Sequence, residues 1–62
     1  MKRGAELQPG DMLDLWGGRA RIVRLAPYTG PLAPLFTNGA QIAFFDNGRS
    51  MTIENGNYYR VL

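Results

Sequence analysis

Residues 40–62, AQIAFFDNGRSMTIENGNYYRVL, decide the fold, because they spell out a β-hairpin together with its register. Asn47-Gly48 is the pair best suited to a two-residue type I′ turn, which needs positive φ at both central positions. With these two as the turn, Phe45 faces Ser50, Phe44 faces Met51, Ala43 faces Thr52 and Ile42 faces Ile53. That register gathers Ile42, Phe44, Met51 and Ile53 on one apolar side. The other side carries Gln41, Ala43, Ser50, Thr52 and Glu54, with Phe45 its one large exception. A one-residue slip would turn every side chain to the opposite face, so the pattern selects this pairing.

Working back from this hairpin, Gly17-Gly18 separates two extended stretches, 12–16 and 19–25, and reads as a second tight turn. Leu15 then faces Ala20 and Leu13 faces Ile22 on the inner side. The outer side pairs Trp16 with Arg19 and Asp14 with Arg21, an aromatic beside a guanidinium and a carboxylate beside another. Val23 and Leu25 fall on the wrong parity for this inner face, which requires the strand to bend, bulge or be covered on both sides there.

Between the hairpins lies APYTGPLAPLFTNG, residues 26–39, too rich in proline and glycine for a strand and too apolar for a loose linker. Tyr28, Leu32, Leu35 and Phe36 predict an ordered excursion that closes one end of a barrel as a lid. Long loops in small domains also carry function disproportionately often, so this one is a candidate site. Asn55-Gly56-Asn57 makes a further turn into a last short strand, 58–62. Residues 1–8 are polar and without periodicity, and read as a flexible N-terminal tail before a domain at 9–62.

Five short strands, two hairpins and one long loop between strands two and three give an all-β fold, a small, partly open barrel. This order of strands and turns resembles the SH3-like barrels over 9–62. The acidic loop and the Trp and Pro positions with which eukaryotic SH3 domains hold proline-rich peptides have no counterpart here, so the resemblance implies the fold and not that ligand. Gly10-Asp11 through Arg21-Ile22-Val23, and then Ser50 to Glu54, are also loosely similar to the type II dihydrofolate reductases. In those enzymes a tetramer builds a central pore, and a Val-Gln-Ile-Tyr run supplies the binding groups. The run here is Met51-Thr52-Ile53-Glu54, with Gln and Tyr both replaced. The similarity implies shared architecture rather than shared activity.

Composition narrows the chemistry. The chain has 62 residues with neither cysteine nor histidine, which removes disulfides, thiolate metal sites and the usual zinc ligands. It also removes the two side chains best placed for acid–base or nucleophilic work at neutral pH. The carboxylates Glu6, Asp11, Asp14, Asp46 and Glu54 are scattered over turns and strand edges and read as partners of arginines, Asp14 with Arg21 and Asp46 with Arg49. No catalytic residue, cofactor or metal is therefore expected. The formal charge is +2, yet from Pro9 onward five arginines face four carboxylates, too even a balance for a dedicated nucleic-acid surface. No apolar run spans a bilayer, and the basic start MKRGAELQPGD lacks an apolar segment behind it, so the expected compartment is the cytoplasm.

What remains is aromatic side chains interleaved with arginines. Trp16, Arg19 and Arg21 on the first hairpin, Phe45 on the second, Tyr58 on the last strand, and Tyr28, Leu32, Leu35 and Phe36 of the long loop are the candidate binding residues. Such a face suits a protein contact, where Trp, Tyr and Arg serve as anchors, or single-stranded nucleic acid, where rings stack on bases. Burial of Trp16 and Phe45 under the long loop, as part of the core, is the structural alternative. The expectation is a non-enzymatic binding or accessory module that meets another protein or a second copy of itself. A nucleic-acid-binding barrel is the alternative, and an oligomeric enzyme with a shared site the third. A chain of this length also suits a product of a phage or mobile element.

Overall fold

Alternating apolar and polar residues form strands that, apart from the first and the last, pair with their neighbours in sequence. The computed structural model describes residues 1–15 and 17–62, with β1 at Lys2–Arg3, β2 at Met12–Leu15, β3 at Gly18–Pro27, β4 at Ala40–Phe45, β5 at Ser50–Glu54 and β6 at Tyr58–Tyr59. β2, β3, β4 and β5 make one antiparallel sheet in that order, curled into a half-barrel, and β1 pairs with β6 in a second sheet of two strands. The fold is all-β and agrees with the expected small open barrel, with one strand more than the five anticipated. Among the described residues no helix is long and apolar enough to cross a membrane.

The added strand lies where a tail was expected. Lys2 pairs with Tyr59 and Arg3 with Tyr58, and Gly4–Glu6 forms a single 3-10 turn against the end of β5. Leu7 is 5% exposed and belongs to the core. Polarity misleads here because the segment is held through its backbone: Gly4 N–H donates to the Asn57 carbonyl at 2.8 Å, and the Gly4 carbonyl accepts from Gln41 Nε2 at 2.8 Å.

The hairpin register is corrected by one residue. β4 and β5 pair Ala43 with Met51 and Phe44 with Ser50, and Phe45 N–H donates to the Arg49 carbonyl at 2.8 Å. The loop is therefore Asp46-Asn47-Gly48. Gly48 has φ of 84° while no residue other than glycine among those described has positive φ, so Asn47 does not adopt the type I′ geometry. A type I turn followed by a left-handed glycine replaces it. Gly48→Ala is expected to cost about 1 kcal/mol through that φ alone, since open space surrounds the position. A urea midpoint equal to that of the native chain would contradict the turn assignment.

The shift reverses the β4 half of the expected core and leaves Met51 and Ile53 on the inner side as expected. Phe45 is 4% exposed and inside with Ala43 and Ile53, whereas Phe44 and Ile42 lie half-buried on the outer face. Phe44 is covered there by Arg24, whose guanidinium carbon sits 4.0 Å from the ring centroid. In the first hairpin the register moves by two: Leu13 pairs with Ala20, Asp14 with Arg19, and Leu15 with Gly18. Parity survives an even shift, so Leu13, Ala20 and Ile22 remain inside as expected, but Asp14 no longer opposes Arg21.

The expected irregularity in the second strand is present. Ile22 pairs with Phe45 and Arg24 with Phe44, which leaves Val23 as a bulge, 54% exposed. One extra residue lets Ile22 and Leu25 both turn inward and adds curl to the sheet. The C-terminal residues close over β2: Val61 bridges to Leu13, Leu62 N–H donates to the Met12 carbonyl at 2.9 Å, and Asp14 N–H to the Arg60 carbonyl at 3.2 Å.

Candidate functional site

The ends of the half-barrel differ in what they offer. At one end stand the β2–β3 and β4–β5 turns, brought side by side because Ile22 pairs with Phe45 and Arg21 N–H lies 3.4 Å from Asp46 Oδ1. Between them runs a groove of about 200 Å³ lined by Leu15, Gly17, Gly18, Arg19, Phe45, Asn47, Arg49, Ser50 and Met51. Its floor is apolar, from Leu15, Phe45 and Met51, and Arg19 and Arg49 stand at its rim. Arg49 reaches across toward the other turn, its Nη1 3.8 Å from where a side chain on Gly17 would begin.

Charge at this end is unbalanced. The ion pairs among the described residues are Lys2 with Asp11, at 3.2 Å, and Arg60 with Asp14, at 4.0 Å. Asp46 binds backbone, taking the Arg21 N–H, and Glu54 accepts from Asn57 Nδ2 at 2.6 Å. Glu6 accepts from the Arg3 N–H at 3.1 Å. Arg19, Arg21, Arg24 and Arg49 thus have no carboxylate partner among the described residues, and the expected pairs Asp14–Arg21 and Asp46–Arg49 do not form. No cluster of three metal-donor side chains occurs among the described residues.

The opposite end carries the long loop, which does not act as the expected lid. Tyr28 N–H donates to the Ala40 carbonyl at 3.1 Å, and the excursion that follows folds on itself, with a 3-10 turn at Ala33–Leu35 and the Tyr28 and Phe36 rings edge to face at 5.8 Å. Leu32 and Leu35 are 54% and 73% exposed. Ring-to-ring contact and four turn bonds, to the carbonyls of Gly30, Leu32, Ala33 and Phe36, stabilise the loop locally. A second cavity of about 200 Å³ beside it, bordered by Leu35, Phe36, Glu54 and Asn57 among others, is mostly polar.

The candidate residues are therefore divided. Arg19 and Phe45 meet in the groove, Phe45 as its floor rather than as an outward ring. Arg21 stands on the outer face opposite Met12, and Tyr28, Leu32, Leu35 and Phe36 are at the far end of β4. Tyr58 is exposed on the seam, where its hydroxyl accepts from Arg3 Nε at 3.2 Å and raises the Arg3 pKa above its ordinary value. Trp16, expected as the neighbour of Arg19, lies outside the described residues. Leu15, Arg49 and Met51 complete the groove and were not expected there. A two-residue turn places Arg49 opposite Asp46, and the Asp46-Asn47-Gly48 triplet is the signal that frees it. No family model matches the sequence, and no curated protein or solved structure matches it at a significant level.

Proposed function

We propose that this chain is a non-enzymatic binding module with an SH3-like barrel, and that it holds a protein partner in the groove between its two hairpin tips. The observation that carries the reading is the combination of an apolar floor with two arginines that have no carboxylate partner among the described residues. Exposed cations beside apolar surface suit a partner that supplies both carboxylates and an apolar side chain. The engagement of the carboxylates with backbone, Asn57, Lys2 and Arg60 supports a role without acid–base chemistry.

A second reading rests on a different observation. Arg19, Arg21 and Arg24 lie along one strand without carboxylate partners among the described residues, a row that could track phosphates. Salt separates the two, because phosphate binding releases counterions and weakens steeply as salt rises. Fluorescence anisotropy with labelled single- and double-stranded oligonucleotides at physiological salt is expected to give no measurable affinity. Micromolar binding with a steep salt slope would replace the protein partner with nucleic acid.

A further inference from the structure

β5 is an edge strand, and its phase decides which of its backbone groups are free. Arg49 and Asn55 both bond toward β4, through Phe45 N–H to the Arg49 carbonyl at 2.8 Å and Asn55 N–H to the Gly39 carbonyl at 3.0 Å. Alternation then turns Met51 and Ile53 toward β4 as well, and Ser50, Thr52 and Glu54 outward. Glu54 is satisfied: its N–H donates to the Tyr59 hydroxyl at 2.9 Å, and its carbonyl accepts from Asn57 N–H at 3.1 Å. Ser50 and Thr52, both exposed, keep an outward N–H and C=O each without a backbone partner among the described residues. These four groups are the template for one more strand.

The free edge runs into the groove, since Ser50 and Met51 of β5 also line it. We infer that the partner adds an extended segment to β5, and that this segment carries an apolar residue and, two positions away, an acidic one. The spacing follows from the pleat. A residue opposite Met51 shares its face and points at the Leu15, Phe45 and Met51 floor, and the next residue on that face lies opposite Arg49, in the groove that Arg19 also lines. Charge selects the occupant. A second copy would bring its own uncompensated arginines to a rim that already carries two, whereas an acidic segment neutralises them. The inference rests on the groove being the binding site and specifies how it is filled.

A short acetylated and amidated probe of this pattern, STTLTETES, titrated into the full chain separates the two levels. The expected result is binding that slows hydrogen exchange at the Ser50 and Thr52 amides and leaves Met51 and Ile53 unchanged, with the lysine version STTLTKTKS inactive. Arg19→Ser/Arg49→Ser is expected to weaken the probe about tenfold or more. Thr52→Pro, which removes only an outward donor from an edge strand, is expected to weaken it about tenfold. Should Thr52→Pro bind like the native chain while the arginine pair loses affinity, strand addition is wrong and the groove stands. If both variants bind as before, the groove itself is wrong. Exchange in the native chain keeps the test decisive where Thr52→Pro fails to fold, since unprotected Ser50 and Thr52 amides in the bound state overturn strand addition without any variant. A probe that does not bind overturns it too. A dimeric mass with Ser50 and Thr52 protected before any probe is added would assign the edge to a second copy and overturn it equally.

Discussion

Phe45→Ala is expected to leave almost no folded protein, while Phe44→Ala, one position away, is expected to leave the fold in place. The contrast follows from the hairpin register. Phe45 is 4% exposed among Ala43, Ile22 and Ile53, and truncation of a buried phenylalanine costs about 3 to 5 kcal/mol in lost burial and residual cavity. A domain this short has only a few kcal/mol to lose. Phe44 is half-buried on the outer face under Arg24, where its loss removes a cation–π contact and cross-strand packing, about 1 kcal/mol together. Chemical denaturation of both variants checks the pair. Equal losses, or a larger one at Phe44, would restore the two-residue Asn47-Gly48 turn and overturn the three-residue loop.

The second large effect is expected at Gly4. A Cβ there would run into the Glu54 carbonyl oxygen and lie 2.8 Å from Ile53 Cγ2. That oxygen is backbone and already accepts from Asn57, so it cannot turn aside without opening the β5–β6 turn. Gly4→Ala should therefore cost about 2 to 3 kcal/mol by overpacking and release the N-terminal segment from β5. In NMR spectra the Leu7 methyls and the Tyr59 ring would shift with it. An unchanged denaturation midpoint would mean that residues 1–8 are the tail that their polarity suggests.

These two positions also mark where the sequence is legible. Strand locations, hairpin order and the irregularity at Val23 follow from alternation and from glycine placement, which are local signals. Register is not fully local. Alternation constrains it only modulo two, so the first hairpin could shift by two residues without disturbing Leu13, Ala20 or Ile22. In the second hairpin Asn47-Gly48 supports two turns of different length, and the longer one is chosen because it buries Phe45 with Ile53 and lets Asp46 bind the Arg21 backbone. The N-terminal strand left no pattern at all, since Lys2 and Arg3 are positioned by main-chain bonds to Tyr58 and Tyr59. The groove was half-visible for the same reason. Arg19 could be named from its place beside a turn, but Arg49 and Met51 depended on the register, and the long loop drew attention to Leu32 and Leu35 because apolar residues in a loop suggest cover that this loop does not give.

Pairing of Lys2 and Arg3 with Tyr59 and Tyr58 also sets an order in time. β2 to β5 are joined by hairpins and can zip together as each is made. The seam instead unites residues far apart in the chain, 55 positions in the Arg3–Tyr58 bond, and chain closure over longer loops is entropically slower. Until residue 58 has been synthesised, β1 has no partner, and until Val61 arrives the β2 edge at Leu13 is bare. Before residues 60–62 join it, the β2 edge therefore stands open as well as that of β5. Residues 58–62, by pairing with β1 and β2, cover strand edges that would otherwise stand open to neighbouring molecules.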